Sequence, residues 1–169
     1  MLSPYRVLDL TDERGHLCGY MLAALGAEVI AVEPPGGSRA RRLGPFVDDV
    51  VDPERSLTHF AYNRGKRSVV LDLTTDEGRQ RLRQLAATAD VLVPTVTDRI
   101  DRAVLAQAGP NLKLIANFGN GVDNIDLEAA TSRGVLVVNS AEASTITTAE
   151  HAFALMMALA RNIGPAYKT

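Results

Sequence analysis

Arg6-Val7-Leu8-Asp9-Leu10, a stretch of helical spacing from Leu17 to Leu25, and Gly26-Ala27-Glu28-Val29-Ile30-Ala31-Val32 read in order as strand, helix, strand. This unit decides the fold. Its strand runs are short and aliphatic, as expected of strands covered on both faces of a parallel sheet. Leu17, Met21 and Leu25 recur at four-residue steps, which predicts an aliphatic inner helix face, and Gly26 suits a left-handed C-terminal cap. Six such runs occur along the chain: Tyr5 to Leu10, Glu28 to Val32, Ser68 to Leu73, Asp90 to Val93, Leu112 to Asn117 and Val135 to Asn139. Helical segments separate them, so the connections must be right-handed crossovers. The expectation is a single α/β domain, doubly wound around a mostly parallel sheet of about six strands, Rossmann-like or flavodoxin-like.

Two helix starts carry the S/T-x-x-E capping box, Thr74 with Glu77 and Thr147 with Glu150. The helix expected over 147–161 is apolar nearly all round from Ala152 to Ala160. A helix on one side of a sheet needs only one apolar stripe, so the surplus predicts self-association through this helix, or its folding back over its own sheet edge. Residues 34–62 read differently, with Pro34-Pro35-Gly36-Gly37, then arginines, then Gly44-Pro45 and an acidic patch. They predict a long surface excursion with a short helix around Pro53 to Ala61, and excursions of this length are often functional.

Composition narrows the classes of function. The chain has 169 residues, 46% of them hydrophobic and 22% charged, with a net charge of −2. That balance fits one globular domain and lacks the basic excess of a nucleic-acid protein. The longest apolar run falls well short of the ~20 residues that cross a bilayer, and no signal peptide is legible, so a cytoplasmic location is expected with neither nucleic acid nor membrane as partner. Cys18 is the only cysteine and the three histidines are far apart, which leaves no metal site and no disulfide to predict.

Two stretches suit ligand chemistry. Arg39, Arg41, Arg42, Arg64, Lys66 and Arg67 flank the excursion, and their forks and ammonium groups suit phosphate oxygens; the alternative is a solvated edge paired with Asp48, Asp49, Asp52 and Glu54. Gly119-Asn120-Gly121-Val122-Asp123-Asn124 begins like a dinucleotide-binding G-x-G-x-x-G but carries Asn124 at the third position, and a plain tight turn is the expected reading. NAD is therefore not an expected cofactor. Asp9, with Thr11, Asp12, Glu13, Arg14 and His16 after it, falls where ligands sit in open α/β sheets, though Asp12 to Arg14 also fit capping and solvation of the first helix. His151 reads as structural.

From Tyr5 to about Val93 the chain resembles the N-terminal part of the family III CoA-transferases. The resemblance rests on Arg6 to Leu10, Leu25-Gly26-Ala27-Glu28-Val29-Ile30-Ala31-Val32-Glu33-Pro34-Pro35-Gly36-Gly37, Asn63-Arg64-Gly65-Lys66-Arg67-Ser68-Val69-Val70-Leu71-Asp72-Leu73 and Ala89 to Val93. It implies a CoA site to which Arg39, Arg42, Asn63, Lys66 and Arg67 contribute phosphate or adenine contacts. CoA binding, if present, is expected to be weak, and no cofactor is required. The family's L-A-G-P after the first strand is replaced here by Asp12-Glu13-Arg14-Gly15-His16.

From about Val93 onward the chain resembles the substrate-binding domain of the D-2-hydroxyacid dehydrogenases. Pro110 to Ala116, Gly119 to Asp126, Glu128-Ala129-Ala130, Arg133-Gly134-Val135, Val138-Asn139, Thr148-Ala149-Glu150-His151 and Ala158 to Asn162 carry it. It implies that the backbone amides of Gly119, Asn120, Gly121 and Val122 hold a small carboxylate. The two resemblances meet near Asp90 to Pro94. They imply one hybrid domain, residues 1–93 of transferase type and 94–169 of dehydrogenase type, read as an engineered chimera with a natural fusion as the alternative. The catalytic residues of both families are absent from the matching stretches, so no complete catalytic function is expected. Weak CoA or nucleotide binding and residual carboxylate binding are the competing readings.

Overall fold

The computed structural model describes residues 1–143 and 145–163. Six parallel strands form one sheet in the order β3-β2-β1-β4-β5-β6: β1 (Arg6–Asp9), β2 (Glu28–Glu33), β3 (Arg67–Val70), β4 (Val91–Val93), β5 (Leu114–Asn117) and β6 (Leu136–Asn139). This is the doubly wound Rossmann order, with its reversal between β1 and β4. Those two strands pair in register, Val7 beside Val91, Leu8 beside Leu92 and Asp9 beside Val93, so the sheet runs unbroken across residues 90–94.

Alternation along the strands sends successive side chains to opposite faces. Leu8, Leu92 and Ile115 enter a large apolar core together with Ala86, Leu105, Ala129, Ala130 and Val135. Helices α3 (Asp76–Ala86), α4 (Arg102–Gln107) and α5 (Leu127–Ser132) carry four of these residues. On the other face Val7, Val29 and Val93 form a smaller core that Leu22 and Ala23 of helix α1 (His16–Ala24) pack against. Beyond α1, Leu2, Val7, Leu22, Val91, Leu114 and Ala116 line an apolar trough of about 400 Å³. Val91 and Leu114 are accordingly half-buried, and Leu136 and Val138 of the edge strand β6 are exposed. Val93, Leu112 and Val135 are buried, and Val91 and Val137 pack partly buried against the two cores.

Three local readings are corrected. Leu17, Met21 and Leu25 lie on the outer face of α1, while His16 and Gly19 are buried against the sheet. The helix is apolar on several sides, so spacing alone does not select the inner one. The cap of α3 is Thr75, whose side chain accepts from the Gly78 N–H, rather than the adjacent Thr74. Helix α6 spans Thr145–Ala160, two residues ahead of the Thr147 start and ending before Arg161.

The excursion is ordered by buried polar anchors. It contains a 3-10 turn over Arg39–Arg42, another over Val47–Asp49, and helix α2 (Leu57–Asn63). Ser56 Oγ caps α2 by accepting from His59 N–H and donates to the carbonyls of Ala40 and Leu43, tying the ends of the excursion together. Among the described residues no helix is long and apolar enough to cross a membrane.

Candidate functional site

The C-terminal ends of β1 and β2 place two buried acids, Asp9 and Glu33, at the sheet edge where open α/β folds hold ligands. Neither is free. Asp9 Oδ1 accepts from the backbone and hydroxyl of Thr11 at 3.0 and 2.7 Å, and Oδ2 accepts from Lys66 Nζ at 3.0 Å. Lys66 also donates to the His16 carbonyl at 2.9 Å, and the side chains of this ion pair are each 1% exposed. The pair lies under α1, and Gly19 makes room for it: a Cβ there would stand 2.1 Å from Asp9 Oδ2 and 2.8 Å from Lys66 Nζ.

Glu33 is engaged from three sides. Its Oε2 accepts from Arg41 Nε and Ser38 N–H, both at 2.7 Å, and its Oε1 accepts from Arg41 Nη2 at 2.9 Å. The bidentate guanidinium, helped by the Ser38 amide and opposed by burial, pulls the carboxyl pKa from 4.5 to about 2. A lowered acid pKa stabilises the fold above the unfolded value and ceases to do so as pH falls through the folded one. Glu33 is therefore expected to contribute on the order of 3 kcal/mol above pH ~5 and to lose it toward pH ~2. Urea unfolding of the wild type and Glu33→Gln at neutral and acid pH checks this: the gap between them should close in acid, and a constant gap would contradict the linkage.

Beside these locked acids is a cavity of about 200 Å³ lined by Thr11, Asp12, Glu13, His16, Glu33, Pro34, Ser38, Arg39, His59 and Asn63. Asn63 Nδ2 donates to His16 Nδ1 at 3.0 Å and to the His59 carbonyl at 3.0 Å. Burial, then the charge of Lys66, holds the His16 pKa below its usual value. The lowered pKa favours the neutral ring, and with Nδ1 accepting from Asn63 its proton is placed on Nε2. His59 meets it edge-on, with ring centroids 6.4 Å apart, and burial also lowers its pKa. Arg39 is the cation on this lining; its side chain is 81% exposed and reaches Glu13 only at 3.7 Å. The cavity therefore offers two imidazole rings and an amide inside, with the exposed Arg39 facing Glu13 and the Asp12–Arg14 pair at its mouth.

Of the residues expected to meet phosphate or adenine, Arg39 and Asn63 come together here. Arg42 lies close by but donates to the Gly36 carbonyl at 2.9 Å. Lys66 is consumed by Asp9, and Arg67 donates to Glu28 at 2.9 Å, at the opposite end of β2. Arg41 is half-buried and pairs with Glu33 and with Glu54, the latter one of the acids of the solvated-edge alternative. His59 and Glu33 were not legible as site residues. Glu33 ends a strand beside a Pro-Gly loop, and that was the one local signal available.

The Gly119 to Val122 loop follows β5, on the far side of β4 from this cavity. Asn117 Nδ2 holds the Gly121 carbonyl at 2.8 Å and Asn139 Nδ2 holds that of Asn120. Among the described residues, the amide groups of Asn120, Gly121 and Val122 have no protein acceptor, whereas that of Gly119 donates to the Asn117 carbonyl. The neighbouring recess carries Asp101, Asp123 and Asp126 together with Arg99; Asp101 faces Arg99 at 3.7 Å and Asp126 faces Arg102 at 3.6 Å. Among the described residues no cluster of three or more His, Cys, Asp or Glu side chains could hold a metal ion.

Comparison with known proteins finds one matching family model and similar proteins of two kinds along the one chain. The family described as CoA-transferase family III matches residues 2–108. The probable fatty acyl-CoA transferase of Mycobacterium tuberculosis is 38% identical over 79% of this chain and 37% of its own length. The D-3-phosphoglycerate dehydrogenase of Archaeoglobus fulgidus is 43% identical over 58% of this chain and 18% of its own. Among solved structures, a CAIB/BAIF family protein from Brucella suis superposes with a TM-score of 0.59 and 31% identity over 73% of this chain and 35% of that one. The chain thus spans well under half of each of these relatives.

Proposed function

Because this chain belongs to CoA-transferase family III through residues 2–108, we propose that it is a hybrid domain of engineered origin in which a CoA-binding half, residues 1–93, is joined to a dehydrogenase-type half, residues 94–169, and holds CoA without transferring it. The observation that carries this reading is the cavity at the ends of β1 and β2, with Arg39 at its mouth and His16, His59 and Asn63 on its walls. A phosphate suits the arginine, and a neutral heterocycle suits the hydrogen-bonding wall. The same site argues against catalysis. A carboxylate nucleophile must be free to attack a thioester carbonyl, and both buried acids nearest the cavity are locked in ion pairs. A dinucleotide has less support, since the carboxylate of Glu33 that could receive a ribose is already held by Arg41.

Titration of CoA against Arg39→Ala/Arg42→Ala tests the reading. The wild type is expected to bind weakly, with affinity falling as salt rises, because an exposed charge pair is screened over ~8 Å at physiological ionic strength. The double variant should lose about tenfold, or about 1.4 kcal/mol. Unchanged affinity would reduce the cluster to a solvated edge. A thioester-exchange assay should show no turnover above the buffer blank, and turnover that survives repurification would overturn the non-catalytic part. The unpaired amides of Asn120, Gly121 and Val122 favour a second reading, binding of a small carboxylate beside Arg99.

A further inference from the structure

A second cavity, of about 350 Å³, shares no residue with the first and lies between α3 and the segment that follows β4. It sits at the reversal of strand order. Connections after β1 and β4 leave the sheet in opposite directions there, and such a crevice is where doubly wound folds accommodate ligands. Leu8 and Leu92, neighbours across the β1–β4 pairing, form its floor with Ala86 and Ile100, all of them buried. Its size is that of a small-molecule site.

The walls of this apolar crevice carry charge. Arg79 is committed, donating to the carbonyls of Leu73 and Thr74 and pairing with Asp76. Arg99 stands 3.7 Å from Asp101, and Asp98 accepts from the Thr95 backbone and hydroxyl at 2.7 and 2.9 Å. Arg83 is half-buried in the last turn of α3, and among the described residues its guanidinium makes no hydrogen bond and no close ion pair, Asp76 attracting it only at longer range. A partly buried cation near a helix C-terminus gains up to about 2 kcal/mol from the helix dipole, which accounts for an arginine in that turn but gives its five donors no hydrogen-bond partner beside an apolar floor.

We infer that this crevice binds an aliphatic monocarboxylate, its chain on the Leu8–Leu92 floor and its carboxylate on Arg83. The inference is independent of CoA binding, since none of the first cavity's residues takes part. Octanoate is the probe, with octanol as its uncharged counterpart, followed by amide NMR shifts of the intact chain. Octanoate should bind saturably with shifts centred on Leu82, Arg83, Ile100 and Val104, and octanol should bind about tenfold more weakly. Arg83→Met keeps the apolar stem and breaks no hydrogen bond or close ion pair among the described residues, so it should fold normally, lose about tenfold toward octanoate and leave octanol unaffected. Arg39→Ala should change neither, which separates this site from the CoA cavity. Equal octanoate affinity in Arg83→Met, shifts centred elsewhere such as the trough beside α1, or no saturable shift at all would each overturn the inference.

Discussion

Lys66→Met is expected to destabilise the fold by about 3–5 kcal/mol, because it leaves the Asp9 carboxylate buried beneath α1 without its counter-ion. The effect is large for a single side chain because three elements converge on the pair. Asp9 ends β1, Lys66 precedes β3, and the same ammonium holds the first carbonyl of α1. Methionine matches the length of the lysine stem, so little of the loss should come from packing. Replacing both members, Asp9→Asn with Lys66→Met, should recover most of the stability, since removing a buried pair together costs far less than breaking it. Urea unfolding of the two variants separates the cases. A loss below about 1 kcal/mol for the single change would mean that the pair behaves like an exposed one.

We propose that α6 mediates self-association, and a charge placed on it is expected to weaken that association strongly. None of the helix's described residues is buried, and Phe153, Leu155, Met156, Met157 and Leu159 are exposed on several sides. At about 1.5 Å per residue the helix presents roughly 24 Å of apolar surface. The same chain offers an open apolar trough between α1 and β5. A second copy meets both needs at once, because a two-fold axis lets each helix cover the other chain's trough. The proposal is therefore a homodimer at tens of micromolar, with Phe153→Glu or Met157→Glu weakening it more than about a hundredfold, as burying an unpaired carboxylate costs several kcal/mol. Light scattering after size exclusion decides it. A wild-type monomer, unchanged by either substitution, would contradict the interface and leave folding back over the chain's own sheet as the account of this helix.

The strands were legible because each is a short aliphatic run, and the observed bounds differ from the expected ones by only a residue or a few. Strand order was not. Parallel neighbours are chosen by packing across long connections, and nothing in Val7 or Val91 alone says that they pair. Helix α1 was found but turned the wrong way, since Leu17, Met21 and Leu25 satisfy the helical spacing as well as the buried positions do. What marks the inner face is Gly19, needed for a close approach that only the folded pair of Asp9 and Lys66 reveals. The candidate site was half legible for the same reason. Arg39 and Asn63 were singled out and lie together at the cavity, whereas Lys66 and Arg67 have partners 57 and 39 residues away that no local pattern could announce.

The most direct test is calorimetric titration of the intact chain with CoA and, separately, with NADH. The account predicts saturable, salt-sensitive binding of CoA that weakens on Arg39→Ala, with NADH binding far more weakly. NADH binding as tightly as CoA, or CoA binding indifferent to Arg39, would contradict it.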